Sequence, residues 1–392
     1  MRFTKNFTPA DVKVHDYAAG YLQDFVGIKG HGRKCTSPML IALLFFAATW
    51  RTSLSDACQR LGHAPSDEAA RQALLATLPR PTTLETRFNR AFAAQVPNGL
   101  RKRAQPLIID LHERPYYGEP FQDKRELRPG KAKRGTSRFH TFATVYLLSH
   151  GRRFTLGMTY VWRNDSLVDV LERLLSQVRE IGLRIRYLLL DREFYNVDVV
   201  SYLKRMHCPF LMPAARRGRR PKDPAEAVSV WRFFVWKKSG WSTQTMKYKG
   251  RAVEVDICVA CDNYAGRGGR HGKRTLVFAF WGFHIGSPRW ARETYRKRFG
   301  IETSYRQANQ AHARTSSRKP VLRLLYMGIA LLLRNVWVWF HLNCIADYFR
   351  DGSVWMHLAR LRFGTLLLYL LMYAAKLAGP IKVETFQLPM LE

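Results

Sequence analysis

Apolar positions change their spacing along the chain, and each spacing predicts a different kind of element. Between residues 37 and 96 they recur as in helices, in SPMLIALLFFAATW, SLSDACQRLG, SDEAARQALLATL and TTLETRFNRAFAAQV. Ser37 before Pro38, Ser53 with Asp56, and Ser66 with Glu68 are the helix starts that N-terminal capping favours, and Gly62 and Pro79 the stops. Residues 1–100 are therefore expected to form a helical domain. It is a candidate either for DNA reading by a helix-turn-helix or for a cap on the next domain.

From residue 106 the period shortens. PLIIDLH is an apolar run of strand length, FHTFATVYLLS and RRFTLGMTYVW predict a hairpin across SHGR, and RIRYLLLD is another buried strand. Between and after them, SLVDVLERLLSQVREIG and VDVVSYLKRM have helical spacing, and PFLMPA returns to strand. The order β-β-β-α-β-α-β, with one acidic residue ending the first strand and another ending the fourth, is compatible with an RNase H-like mixed sheet of the α/β class. Residues 101–213 hold this first part. Residues 214–287 break the pattern with WRFFVWKK, TQTMKYKGRAVEVDICVAC and TLVFAFWGF separated by basic loops, which predicts an antiparallel β-rich insertion. Helical spacing resumes from Pro288, giving a second part of the α/β unit over 288–350 and a helical C-terminal region with a tail over 351–392.

Bulk charge sharpens this picture. Sixty-four Lys and Arg against 30 Asp and Glu leave +34, a self-repulsion that a polyanion relieves, so a nucleic acid is the expected partner. The opening MRFTKNFTPADVKV lacks a signal-peptide pattern, which predicts a cytoplasmic, nucleoid-associated protein. Six scattered cysteines suit a reducing compartment; Cys258 and Cys261 alternate in a strand-like run, and no second pair follows at zinc spacing. Leu324–Leu333, interrupted by Arg334, Asn335 and His341, and Gly364–Ala375, stopped by Lys376, are short of the ~20 residues a membrane span needs, so they read as core helices and no membrane is expected.

The chemistry lies in the acidic residues. Transfer at a phosphodiester needs help at both the attacking and the leaving oxygen, which paired divalent ions held by carboxylates provide. Asp110 ends LIID and Asp191 ends YLLLD, and the carboxyl ends of neighbouring strands are where open α/β sheets place ligands. Strand-terminal aspartates also start turns and cap helices. In RWARETYRKRFGIETSYRQANQAHA, Tyr295, Arg298 and Glu302 fall at i, i+3 and i+7, one face of a continuous helix, although Gly300 weakens that helix. Glu113, Asp165 and Glu193 are alternates, with Asp165 placed to cap a helix, and His112 is a candidate for tuning the site or for a structural hydrogen bond.

The spacing Tyr295-x2-Arg298-x3-Glu302, preceded by Asp110 and by Asp191 in DREFY, resembles the YREK signature of DDE transposases encoded by prokaryotic insertion sequences. The segment IDLHERPYYGEP, the hairpin and the β-rich insertion resemble that group too. The likeness spans roughly residues 100–345. It implies a metal-dependent nuclease and strand-transferase acting on terminal repeats and target DNA. Asp110, Asp191 and Glu302 would hold two Mg2+ (or Mn2+) ions, Tyr295 and Arg298 would bind phosphates, and the chain would work as a homodimer on paired ends. Where the signature has lysine this sequence has Asn309, and Arg306 is the candidate substitute.

Basic clusters supply a candidate DNA track. Lys131, Lys133 and Arg134 stand with Lys124, Arg125, Arg128 and Arg138 in one Gly/Pro-containing loop; Arg216, Arg217, Arg219 and Arg220 form another; Arg270 lies in a third. Trp231, Trp236 and Trp241 are candidates for stacking on a displaced base or for core packing.

Overall fold

The computed structural model describes residues 11–149, 152–216, 221, 223, 228–265, 271–349, 354–355 and 357–382. It opens with helices α1 (Asp11–Tyr21), α2 (Ser37–Thr49), α3 (Leu54–Arg60), α4 (Asp67–Thr77) and α5 (Pro81–Gln95). Ser53 and Ser66 cap α3 and α4 by accepting from Asp56 N and Ala69 N. At α2 the cap is Thr36 instead of Ser37: Thr36 accepts from Met39 N, while the Ser37 hydroxyl donates to Ile28 O at 2.6 Å. Every side chain from Leu40 to Ala48 is buried, so α2 is apolar all round because it is core all round.

Strands β1 (Gln105–Pro115), β2 (Arg128–Lys133), β3 (Thr136–Ser149) and β4 (Arg152–Val161) follow, then α6 (Leu167–Glu180), β5 (Ile185–Leu190), α7 (Val197–Arg205) and β6 (Phe210–Pro213). The short helix α8 (Trp231–Phe234) precedes β7 (Gly240–Tyr248), β8 (Arg251–Ala265) and β9 (His271–Trp281). Helices α9 (Pro288–Arg296), α10 (Gly300–Ala308) and α11 (Pro320–Phe340), a two-residue pair β10 (Asp347–Tyr348) and β11 (Val354–Trp355), and α12 (Phe363–Ala378) complete the described chain.

Among the described residues one sheet runs β2-β3-β1-β5-β6-β9-β8-β7, with β4 beside β3. β1 is antiparallel to β3 and parallel to β5, which is parallel to β6, so the first part is a mixed RNase H-like sheet. One expectation gains detail and another changes. The insertion is antiparallel and β-rich as expected, and its strands prolong the sheet, because β9 pairs antiparallel with β6, Leu211 opposite Phe280. WRFF, read as strand, is the helical turn α8, which buries Phe233.

The edge of β4 is sealed by side chains that imitate a missing strand. Asn335 of α11 accepts from Thr155 N and donates to Thr155 O, both at 2.8 Å, and Asn89 of α5 does the same at Met158. Glu85 accepts from Tyr160 N at 2.8 Å. A buried strand edge left bare would strand its N–H and C=O groups at about 1–3 kcal/mol each, so these helices are fixed to the sheet in register. Arg334 likewise donates to Arg153 O at 2.6 Å. The polar pair Arg334–Asn335 therefore does not interrupt the apolar helix, as its sequence suggests, but anchors it. With the wider turn that follows, Pro320–Ile345 is long and apolar enough to cross a membrane by length and composition; 89% of its apolar window is buried in the fold. α11 lies against α5 so closely at Gly328 that a Cβ there would meet the Phe88 ring at 2.5 Å.

Candidate active site and nucleic-acid interface

Ile109 of β1 pairs with Leu190 of β5, so the residues that follow them, Asp110 and Asp191, lie abreast at the ends of the parallel pair. Between them comes one guanidinium from the far end of the chain. Arg298 Nη2 stands 3.0 Å from Asp110 Oδ1 and 3.2 Å from Asp191 Oδ2. Arg298 and Asp110 are largely buried, with side chains 7% and 13% exposed, and Asp191 is 35% exposed. The other oxygen of Asp191, Oδ1, caps a 3-10 turn at Arg192–Phe194 by accepting from Arg192 N at 2.6 Å. The same side chain thus caps a turn with one oxygen and faces the guanidinium with the other.

Burial pushes the Asp110 carboxyl up to about 6; Arg298 opposes that shift and Asp191 adds to it. Arg298 Nε is buried without a hydrogen-bond partner, and its guanidinium carbon lies 5.8 Å from the centre of the Tyr295 ring. Tyr295 is itself buried against Phe278, and burial raises its phenol.

Glu302 is exposed and stands outside this group. The spacing of Tyr295, Arg298 and Glu302 placed them on one face of a continuous helix, but the helix is broken: α9 ends at Arg296, Lys297–Phe299 is a 3-10 turn, and α10 starts at Gly300. A 3-10 turn advances about 120° per residue against 100° in an α-helix, so the face rotates across the break. At Gly300 the Arg153 guanidinium donates to Gly300 O at 3.3 Å and occupies the space a Cβ would take, 2.7 Å away, so a larger residue here would push that arginine aside. Packing, not propensity, holds this weak point of the helix.

The hard oxygen donors Asp110 and Asp191 suit a divalent cation, and the guanidinium between them shows that the position attracts positive charge. Among the described residues no three His, Cys, Asp or Glu side chains gather as a metal would need. The pair fits such an ion; the third carboxylate is not at hand in this conformation.

Farther along β1 the same face carries His112 and Arg114. His112 stacks on Tyr305, ring centres 4.4 Å apart, and Tyr305 is held by Thr144 and donates to Asp110 O at 3.4 Å. Arg114 Nη2 donates to Asn309 Oδ1 at 2.6 Å. Arg114 and Tyr305 were missed in sequence; the alternation of Asp110, His112 and Arg114 in IDLHER is the signal that would have flagged the first. Arg306 is exposed on α10.

The alternates resolve into structural roles. Glu113 pairs with Lys133 Nζ at 2.6 Å. Asp165 does not cap α6, which Ser166 and Asp169 close with a capping box; it accepts from Trp162 N and pairs with Arg173 at 2.5 Å. Glu193 is exposed and lines a cavity of about 720 Å3 with Arg192, Arg216, Phe234 and Arg274. A second cavity of about 410 Å3 shares Phe234 and Arg274 and reaches Tyr295, Arg296 and Phe299. The two make a basic, aromatic-lined groove beside the aspartates.

The basic segment read as a loop is a hairpin: Lys131 and Lys133 lie on β2, Arg134 at its turn, and Arg138 on β3 pairs with Glu119 at 2.6 Å. Arg216 lies 4.4 Å from the Phe234 ring centre and 5.6 Å from that of Trp231. Trp236 packs edge-on to Phe233, whereas Trp241 is exposed. Arg217, Arg219, Arg220 and Arg270 lie outside the described residues. All six cysteines are free thiols.

The sheet order, with Asp191 just past β5 and Asp110 within β1 where its parallel pairing to β5 stops instead of at the strand's end as its sequence suggests, defines the class as an RNase H-like α/β protein. A solved structure of similar fold is the piggyBac transposase in its synaptic complex with hairpin DNA, with a TM-score of 0.57 at 11% identity over 94% of this chain and 80% of that one. Residues 101–336, more than half of the chain, match the family described as Transposase DDE domain, and the chain belongs to that family. No curated protein matches it.

Proposed function

We propose that this DDE transposase cuts DNA at the ends of its own element and joins the freed 3′-hydroxyl to target DNA, as a cut-and-paste enzyme of the YREK-signature group of prokaryotic insertion sequences. The observation that supports it most is the meeting of Asp110 and Asp191, 81 positions apart by their numbers, on one buried guanidinium. Asp110 and Asp191, joined by Glu302, are the residues that would hold Mg2+ or Mn2+, two ions in the full reading. Such ions, when bound, neutralise charge on the phosphodiester and activate the attacking oxygen.

The chain's own residues do the rest. Arg298 keeps the two carboxylates together in the free chain and is suited to bidentate contact with a phosphate once DNA arrives. Tyr295 holds Arg298 from below. The 3-10 turn before Gly300 is the natural hinge for bringing Glu302 inward, since mid-helix 3-10 segments mark such points. Lys131, Lys133, Arg134 and Arg216, with Arg217, Arg219, Arg220 and Arg270, extend the DNA track; Arg306 and Asn309 stand near its other side. Trp241, exposed although its ring edge packs on Phe280, is the tryptophan of the insertion best placed to stack on a displaced base. Two copies, each on one terminal repeat, form the working homodimer, in the cytoplasm at the nucleoid.

The exposed position of Glu302 favours a second reading, a non-catalytic DNA-binding protein derived from a transposase. One experiment separates the two. With Mg2+ and duplexes carrying the element's ends, the wild-type chain releases 3′ ends, while Asp110→Asn, Asp191→Asn and Glu302→Gln each bind DNA but do not cut. Near-normal cutting by any of these variants rejects the assignment, and no cutting by the wild type selects the non-catalytic reading.

A further inference from the structure

The basic residues beyond Asp110 form a cluster that the proposed catalytic set does not use. Arg114, at the end of β1, is half-buried; its one hydrogen bond among the described residues goes to Asn309, and its Nε is buried without a partner. Arg323 of α11, also half-buried, is pinned by donating from Nε to Ser317 O at 2.9 Å and lies 4.6 Å from the Tyr116 ring centre. Arg51 and Arg134 are exposed at the rim, at φ of 56° and 51°, a left-handed backbone that non-glycine residues seldom adopt. The Arg51–Thr52 turn is tied to the chain after α10, since Arg314 N donates to Thr52 O at 2.8 Å.

Among the described residues none of the four arginines has a carboxylate partner, and Glu113, next to Arg114 in the chain, pairs with Lys133. Arg51, Arg134 and Arg323 each add to the cost that burial imposes on the Arg114 charge, which brings its pKa down to about 10. The two buried histidines beside it, His112 and His312, are held neutral. The chain just beyond Arg114 draws two of the others to it: Arg323 lies over the ring of Tyr116, and Tyr117 donates its hydroxyl to Arg134 O at 2.7 Å. Cations gathered without an anion are an expensive arrangement in a folded chain unless an anion completes it.

We infer that Arg114, Arg323, Arg51 and Arg134 form a binding site for a backbone phosphate of DNA, with Arg114 and Arg323 as its floor and Arg51 and Arg134 as its rim. This inference rests on the transposase reading for its choice of ligand. Arg114 shares the face of β1 that carries Asp110, four residues on, which at the strand rise is roughly 14 Å. A phosphate held here therefore lies a few backbone steps from the one at the aspartates and fixes the register of the cut. It also places a fixed charge beside Asn309, where the family signature has lysine.

The test uses the full chain, with Arg114→Gln and Arg323→Gln. Inorganic phosphate at constant ionic strength raises the Tm of the wild type and has little effect on either variant. Without phosphate Arg114→Gln melts at or above the wild type, since it removes an uncompensated buried charge. On a 20-base-pair duplex each variant binds about tenfold more weakly, and the slope of log affinity against log salt becomes shallower by about 0.9. If Arg114→Gln melts lower while phosphate response and duplex binding are unchanged, Arg114 is a packing residue and the inference falls. If phosphate protects the wild type but no duplex binds it, the site takes another phosphate, and the DNA assignment falls with the transposase reading. If duplex binds the wild type and both variants alike, the site is overturned while that reading stands.

Discussion

Strand β1 carries two charged centres on one face, and they are built in opposite ways. At Asp110 opposite charges meet: two carboxylates share a guanidinium, all three brought together from distant parts of the chain. At Arg114 they do not: one buried guanidinium is surrounded by others of its own sign, with only a neutral amide to receive it. The first centre is folded to hold positive charge against negative oxygen. The second is left wanting a negative ligand. A DNA backbone with an associated cation answers both, and neither centre alone would say so.

The comparison breaks most readily at the aspartates. Asp110→Asn or Asp191→Asn should reduce end cleavage by at least about 10³-fold, the scale of several kcal/mol of lost charge stabilisation, measured as the initial rate of 3′-end release. Removing the guanidinium instead tests the pairing itself. Arg298→Gln leaves two carboxylates facing each other, and breaking a buried pair costs about 3–5 kcal/mol, taken here as about 3 because Asp191 is partly in water. Urea unfolding checks this, and adding Asp110→Asn should recover much of the loss.

The two centres also answer acid with opposite signs. Burial holds His312 down to about 3 and His112 well below the ordinary value of 6.5. As pH falls below 6.5 the unfolded chain therefore takes up protons that the folded chain refuses, and stability drops by up to about 1.4 kcal/mol per pH unit for each histidine. Asp110, raised to about 6, contributes stability that is full below its unfolded value of 3.8 and lost as pH rises through 6. Urea titrations at pH values from about 4.5 to 6.5 separate them: His312→Asn flattens the acid-side loss, and Asp110→Asn steepens it. The smallest effect belongs to the rim. Lys133→Met breaks an exposed ion pair with Glu113 and should change stability by less than about 1 kcal/mol.

The aspartate centre was largely legible in the sequence, because each aspartate ends an apolar run and strand order does the rest. Arg298 was legible as a partner of Tyr295, though as a phosphate ligand and not as the bridge between the carboxylates. Glu302 was read onto the same face because spacing alone cannot show the 3-10 turn at Lys297–Phe299, which depends on Arg153 packing against Gly300. The arginine centre was hidden for another reason. Arg51, Arg114, Arg134 and Arg323 come from four segments, and nothing local in any of them signals the others. Asn335 shows the same limit in reverse: it looks like a flaw in an apolar helix and is the clamp on the edge of β4.

Binding of Mn2+ followed by electron paramagnetic resonance, in the presence of an end-containing duplex, tests the central claim apart from any turnover. The account predicts that the wild-type chain takes Mn2+ out of its free hexa-aquo signal and that Asp110→Asn and Asp191→Asn leave that signal intact while still binding the duplex. Equal Mn2+ uptake by wild type and by both variants would contradict it.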